Sequence, residues 1–165
     1  MASHQSLVSA AELAEPLLPN GLDVLIVNGA YSSTADAYAP PTTFAPASRA
    51  EALHEEMHKS LDVNVLGVVY SINAFLPLIV KGSVKKIIVI STGLADADRT
   101  IAGDGNPILV TYSAMKAALN MVVAKFAAEL KPKGLKFLSL SPGLVNTNPP
   151  GASLLLSCLQ RQSLS

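Results

Sequence analysis

Three short apolar runs, each bounded by turn-forming residues, constrain this chain more than anything else in it. Residues 22–27 (LDVLIV), 85–91 (KKIIVIS) and 135–140 (LKFLSL) are too short for helices and rich in branched side chains. The first is apolar on both faces, the composition of a parallel strand covered above and below by helices. Segments of helical length separate them. Residues 7–18 end at Pro19-Asn20-Gly21, residues 48–80 carry Pro77 near their end, and residues 110–130 are alanine-rich and stop at Lys131-Pro132. Helices and strands alternating at these lengths imply right-handed crossovers and an α/β fold, a doubly wound parallel sheet covered on both faces.

The connecting segments are expected to be irregular. Residues 32–46 are rich in Ser, Thr, Ala and Pro, and residues 92–109 are Gly- and Asp-rich. After Pro142-Gly143 the pattern fades, although residues 152–165 have the composition of one short helix. The reading is one domain over residues 1–147 with a tail over 148–165, without internal repeats. Lysine plus arginine balance aspartate plus glutamate at 12 each, so the basic footprint of a nucleic-acid binder is missing. Glu12 and Glu15 interrupt the N-terminal segment, which does not read as a secretory signal. A single cysteine, Cys158, closes no intrachain disulfide, and a reducing, cytoplasmic location is expected. Residues 63–80 carry no charge, but Asn64, Ser71, Asn73 and Pro77 within them fit a buried helix better than a membrane span.

The chemistry lies where these elements end. Tyr112 and Lys116 stand four residues apart in the last long helix, hence on one face. A tyrosine phenol titrates near pH ~10, and a cation held beside it stabilises the phenolate, which makes a usable proton donor and acceptor. Such a pair alone also fits a tyrosine at the core edge beside a solvated lysine. Here it is accompanied by Ser91-Thr92-Gly93 at the carboxyl end of the second strand, where open α/β sheets place ligand-contacting groups. Asp62-Val63-Asn64 lies in the preceding helix, and Ser141-Pro142-Gly143-Leu144-Val145-Asn146-Thr147 follows the third strand.

In that order the motifs resemble the short-chain dehydrogenase/reductase family over residues 11–147. Val27-Asn28-Gly29-Ala30 takes the place of the family's Asn-Asn-Ala-Gly segment and Thr92 that of its active-site serine. Asn64, Tyr112 and Lys116 match its asparagine, tyrosine and lysine, and residues 142–147 its Pro-Gly-x-Val-x-Thr segment. The resemblance implies a partial Rossmann-like sheet of three recognisable strands with flanking helices. It also implies NAD- or NADP-dependent hydride transfer between nicotinamide and a small alcohol or carbonyl substrate. Tyr112 would exchange the proton, and Lys116 would lower its pKa and bond the nicotinamide ribose. Thr92 would steady the substrate oxygen, and Asn64 would help hold a relay water. Asn28, Gly29, Ala30, Pro142, Gly143, Val145 and Thr147 would complete the cofactor wall.

The departures are informative. No glycine-rich turn of the kind that approaches a pyrophosphate occurs in the sequence; Gly103-Asp104-Gly105 lacks a third glycine and a following helix. The chain therefore reads as a family member truncated at its N-terminus and atypical at its C-terminus, weakly active or inactive by itself. The first strand would expose an apolar edge open to homo-oligomerisation or to pairing with a full-length relative. A truncated fragment or interaction module without catalysis is the alternative. His54-Glu55-Glu56-Met57-His58 satisfies the H-E-x-x-H pattern of zinc hydrolases, but no third ligand is evident, so no metal is expected.

Overall fold

A computed structural model describes residues 3–33, 38–103, 107–143 and 145. Helix α1 (His4–Ala14) starts where the Ser3 hydroxyl oxygen accepts the Ser6 N–H, and it runs into a short 3-10 turn, Glu15–Leu17. Strand β1 (Val24–Val27) follows, then helix α2 (Ala47–Leu61), which continues through a π-helical turn (Asp62–Leu66) into α3 (Gly67–Lys81). Strand β2 (Lys86–Ile90), the short helix α4 (Ala97–Ile101), the long helix α5 (Val110–Leu130) and strand β3 (Lys136–Leu140) complete the order.

The three strands form one parallel sheet in the order β1-β2-β3. Its register sorts the side chains into two faces. Leu25 and Val27, Ile87 and Val89, and Phe137 share one face with the core helices, joined there by Val68, Ile72, Ile79, Leu119 and Val123. The opposite face presents Val24, Ile26, Ile88, Ile90, Leu138 and Leu140, with Lys86 and Lys136 at its amino end. On that face Ile26 is 59% exposed, Leu138 48%, Leu140 42% and Val24 37%. Among the described residues α3 and α5 pack on one side of the sheet, α1 packs on α3, and no described helix covers the second face. The apolar alternation is that of a buried strand, yet nothing among the described residues buries its second half.

Two tight features set how β1 enters. Gly21 adopts φ +83°, and a Cβ there would overlap the Leu78 carbonyl and the Gly82 backbone, so α3 ends against the start of β1. The Leu22 N–H donates to that same Leu78 carbonyl at 2.8 Å. Asp23 then receives the N–H groups of Ser83 and Val84 and the Ser83 hydroxyl, which fixes the turn into β2 and lowers its pKa, the Val84 bond first among the causes.

Several boundaries differ from the sequence reading. The first strand is shorter than residues 22–27, and the helix over residues 48–80 contains the π turn. Residues 92–109, expected to be irregular, hold a 3-10 turn (Gly93–Ala95) and α4, which starts where an Asp96 carboxylate oxygen accepts the Arg99 N–H. Continuous helix over Ala47–Lys81 is long and apolar enough by length and composition to cross a membrane. Five of its apolar residues, Val65, Val68, Ile72, Leu78 and Ile79, are buried in the core. Thr147, Cys158 and the tail 148–165 lie outside the described residues.

Cover of one face by the described helices predicts unequal sensitivity across the sheet. Ile87→Ala empties a fully buried position and should cost about 2–5 kcal/mol, whereas Ile26→Ser should change stability by less than about 0.5 kcal/mol. Urea denaturation of the two variants measures both, and equal losses would contradict this difference between the faces.

Candidate active site

Helix α5 opens after Leu109, whose φ of 60° turns the chain sharply into the helix. Three residues later comes Tyr112, half-buried, and one turn further Lys116, which is only 1% exposed. The Lys116 Nζ donates to the Ile90 carbonyl at 2.7 Å, tying α5 to the last residue of β2, and lies 5.8 Å from the Tyr112 ring centroid. An ammonium has three N–H donors, and this is the one hydrogen bond found for it among the described residues. Burial pushes its pKa down and that of the Tyr112 phenol up. The expected lowering of the phenol by its neighbour is therefore not what this arrangement shows: the ammonium points its bond at the strand carbonyl, and desolvation governs the tyrosine.

Thr92 follows β2 by two residues. Its Oγ1 accepts the Leu94 N–H at 3.2 Å, capping the Gly93–Ala95 turn and leaving its own O–H available among the described residues. The Gly93 N–H donates to Ser141 Oγ at 3.0 Å, which brings the end of β3, with Pro142 and Gly143, beside the end of β2. Ser91 behind it is buried and donates to Asn120 Oδ1 on α5 at 2.8 Å. Thr92, Tyr112 and Lys116 thus gather at the carboxyl end of the sheet, on β2 and α5.

Asn64, fully buried in the π turn, does something the motif alone did not show. Its Oδ1 accepts the Tyr31 N–H at 2.9 Å, and its Nδ2 donates to the Tyr31 carbonyl and to Ser60 Oγ, both at 2.8 Å. Both amide N–H donors are engaged, so this side chain fixes the exit of β1 and has none left to give a relay water. Tyr31 is held a second time, its hydroxyl donating to Glu56 at 2.6 Å while Lys59 sits 4.4 Å over its ring. The Tyr31 bond is the first cause holding Glu56 below the usual carboxylate range. Sequence reasoning gave no role to Tyr31, Ser60 or Ser141; the signal available was adjacency, since Tyr31 directly follows Asn28-Gly29-Ala30. Those three residues stand exposed at the carboxyl end of β1, and Val145 is 56% exposed.

The histidine pair is placed differently. His54 and His58 lie exposed on α2 with ring centroids 4.1 Å apart, and His58 Nδ1–H donates to the His54 carbonyl. Among the described residues no group of three or more His, Cys, Asp or Glu side chains could hold a metal ion.

The short chain dehydrogenase family model matches residues 1–152. The chain belongs to the short-chain dehydrogenase/reductase family. It is 42% identical over 146 residues to the short-chain dehydrogenase/reductase iacC of Pestalotiopsis fici, covering 88% of this chain and 53% of that one. To the short-chain dehydrogenase/reductase atnB of an Arthrinium species it is 43% identical, covering 87% and 53%. The chain spans about half the length of the curated relatives it matches. Among solved structures, the NADPH-bound carbonyl reductase from chicken fatty liver superposes with a TM-score of 0.70 at 23% identity, over 94% of this chain and 60% of that one. The Drosophila melanogaster carbonyl reductase Sniffer gives 0.71 at 21%, over 89% and 58%. These structures share the Rossmann-like architecture, and the described β1-β2-β3 sheet matches part of it.

Burial of the phenol predicts a titration. Subtracting the ultraviolet titration of Tyr112→Phe from that of the intact chain should show Tyr112 ionising above its ordinary value of 10.0. The raised value means the folded state disfavours phenolate, so this residue withdraws stability as pH climbs from the unfolded value through the folded one. Ionisation at or below 10.0 would show that the ammonium, not desolvation, controls the site.

Proposed function

We propose that this oxidoreductase-family chain carries the proton-transfer half of an NAD- or NADP-dependent site for a small alcohol or carbonyl, with slow turnover by the chain alone. The observation that carries the reading is Lys116, an ammonium buried at 1% exposure with one hydrogen bond at the carboxyl end of a parallel strand, one helical turn from a half-buried phenol. A sugar diol would suit its two remaining donors, which is the fit expected for the nicotinamide ribose. Asn28, Gly29 and Ala30 on one side, and Pro142, Gly143 and Val145 on the other, would hold the same end of the dinucleotide. The pyrophosphate end has no glycine-rich turn to hold it in this sequence.

When bound, nicotinamide supplies or accepts the hydride. The chain's own residues handle the proton and the oxygen. The Tyr112 hydroxyl gives its proton to, or takes it from, the substrate oxygen. Lys116 adds positive charge beside the phenol as it ionises, and the free Thr92 O–H donates to the same substrate oxygen. Threonine in place of serine keeps the hydroxyl while its methyl restricts the rotamer. Asn64 is a positioning residue, holding the β1 exit through Tyr31. The single cysteine and balanced charge support a cytoplasmic protein that does not engage nucleic acid.

Incubation with NADH or NADPH and a panel of small ketones and aldehydes, followed at the nicotinamide absorbance, tests the reading. Tyr112→Phe should lower any turnover by about 10²–10⁴-fold while Thr92→Ser retains it. Turnover that survives Tyr112→Phe unchanged would place the activity elsewhere.

A further inference from the structure

Helix α2 carries two imidazoles that the oxidoreductase chemistry does not use. His54 and His58 stand one helical turn apart, both exposed, with ring centroids 4.1 Å apart and planes inclined at 52°. Side chains at this spacing lie one above the other on the same helix face. Neither ring takes part in an ion pair among the described residues.

One hydrogen bond decides which nitrogen of His58 is available. Its Nδ1 lies 2.8 Å from the His54 carbonyl, and a carbonyl oxygen only accepts, so the proton of the neutral ring sits on Nδ1. The lone pair is then on Nε2, at the outer end of the side chain. This is the arrangement a metal-binding histidine uses: one ring nitrogen anchored through its N–H to a backbone carbonyl, the other open for coordination. Because that bond already orients the ring, less side-chain freedom is lost when an ion arrives. The His54 ring makes no hydrogen bond among the described residues, so either of its nitrogens can turn toward the same point.

The surroundings favour positive charge. Glu51 and Glu55 precede His54 and His58 by three residues each, which places two exposed carboxylates on the same side of the helix. The cation next to His58, Lys59, is engaged elsewhere, its Nζ lying 4.4 Å from the Tyr31 ring centroid. Among the described residues no third His, Cys, Asp or Glu side chain joins the pair in a ligand group. The remaining coordination positions therefore belong to solvent.

We infer that His54 and His58 form a two-imidazole chelate for a late first-row divalent cation, with water completing its coordination. Nitrogen ligands of this kind bind Cu2+ most tightly and also suit Ni2+ and Zn2+, whereas Mg2+ and Ca2+ take oxygen ligands. An ion bridging two successive turns clips the end of α2, just ahead of the π turn from which Asn64 holds Tyr31. Two protein ligands, where zinc hydrolases use three, make this a binding site and not a hydrolytic centre. Nothing in the chelate depends on the nicotinamide reading.

The sequence has three histidines and one cysteine, so the full chain carrying His4→Gln and Cys158→Ser keeps this pair as its only imidazoles and has no thiol. Calorimetric titration of that metal-free chain should give one-to-one binding of Cu2+, Ni2+ and Zn2+, tightest for Cu2+, and none of Mg2+. Paramagnetic resonance of the Cu2+ complex should show two imidazole nitrogens, and Zn2+ should raise the melting temperature. His54→Gln and His58→Asn, both at exposed positions, should each weaken binding by at least about tenfold and leave one nitrogen in the spectrum. His58→Asn keeps an N–H near the place of Nδ1 while removing Nε2, which separates coordination from the bond that anchors the ring. Absence of a one-to-one complex, affinity that survives both substitutions, or Mg2+ binding as tight as Zn2+ would overturn the chelate.

Discussion

The Lys116–Ile90 bond is the contact on which the arrangement depends. An ammonium held at 1% exposure is expensive unless its charge meets dipoles of the right sign, and the carbonyl at the end of β2 is the one it meets. The bond runs between elements 26 residues apart and sets the axial position of α5 against the sheet. Tyr112, one turn earlier on that helix, is carried to the same end of the strands. So is Thr92, two residues beyond the carbonyl itself. Among the described residues the Lys116 ammonium makes this one hydrogen bond and the Thr92 O–H donates none, and both groups lie at the carboxyl end of the strands, where open α/β sheets bind their ligands.

A second set of bonds does for β1 what Lys116 does for β2. Asn64 reads both backbone groups of Tyr31, and the Tyr31 hydroxyl reaches Glu56, so the segment after β1 is fastened at three points to the helix that crosses behind it. The π turn is where the helix places Asn64 for this purpose, consistent with the association of such turns with functional sites. Against that well-fastened carboxyl end, the face that no described helix covers stands out. The same sheet that buries Ile87 and Val89 completely exposes Ile26 and Leu138 by about half.

Much of this was legible in the residues. The three strands, the long α5 helix with its boundaries at Val110 and Leu130, and the gathering of Thr92, Tyr112 and Lys116 followed from apolar run lengths, turn residues and spacing. Which face the described helices cover did not, because a run that is apolar on both faces says what a strand is built for and not which described element lies against each face. Helix α4 was hidden because five residues carry too few turns for a period, although Asp96 was readable as a cap. The partner of Asn64 was hidden for a different reason: a contact spanning 33 residues depends on where the β1 exit crosses α2, which no local pattern encodes. The direction of the Tyr112 shift depends on burial and on where the lysine spends its hydrogen bond, neither of which spacing reveals.

The central claim is that the carboxyl end of this half-sheet receives the nicotinamide end of a dinucleotide. Titrating the folded chain with NADH and with NADPH while following its melting temperature tests this most directly. The account predicts a saturable rise with at least one of them, weak because no glycine turn grips the pyrophosphate. A chain shown to be folded whose melting temperature ignores both would contradict it.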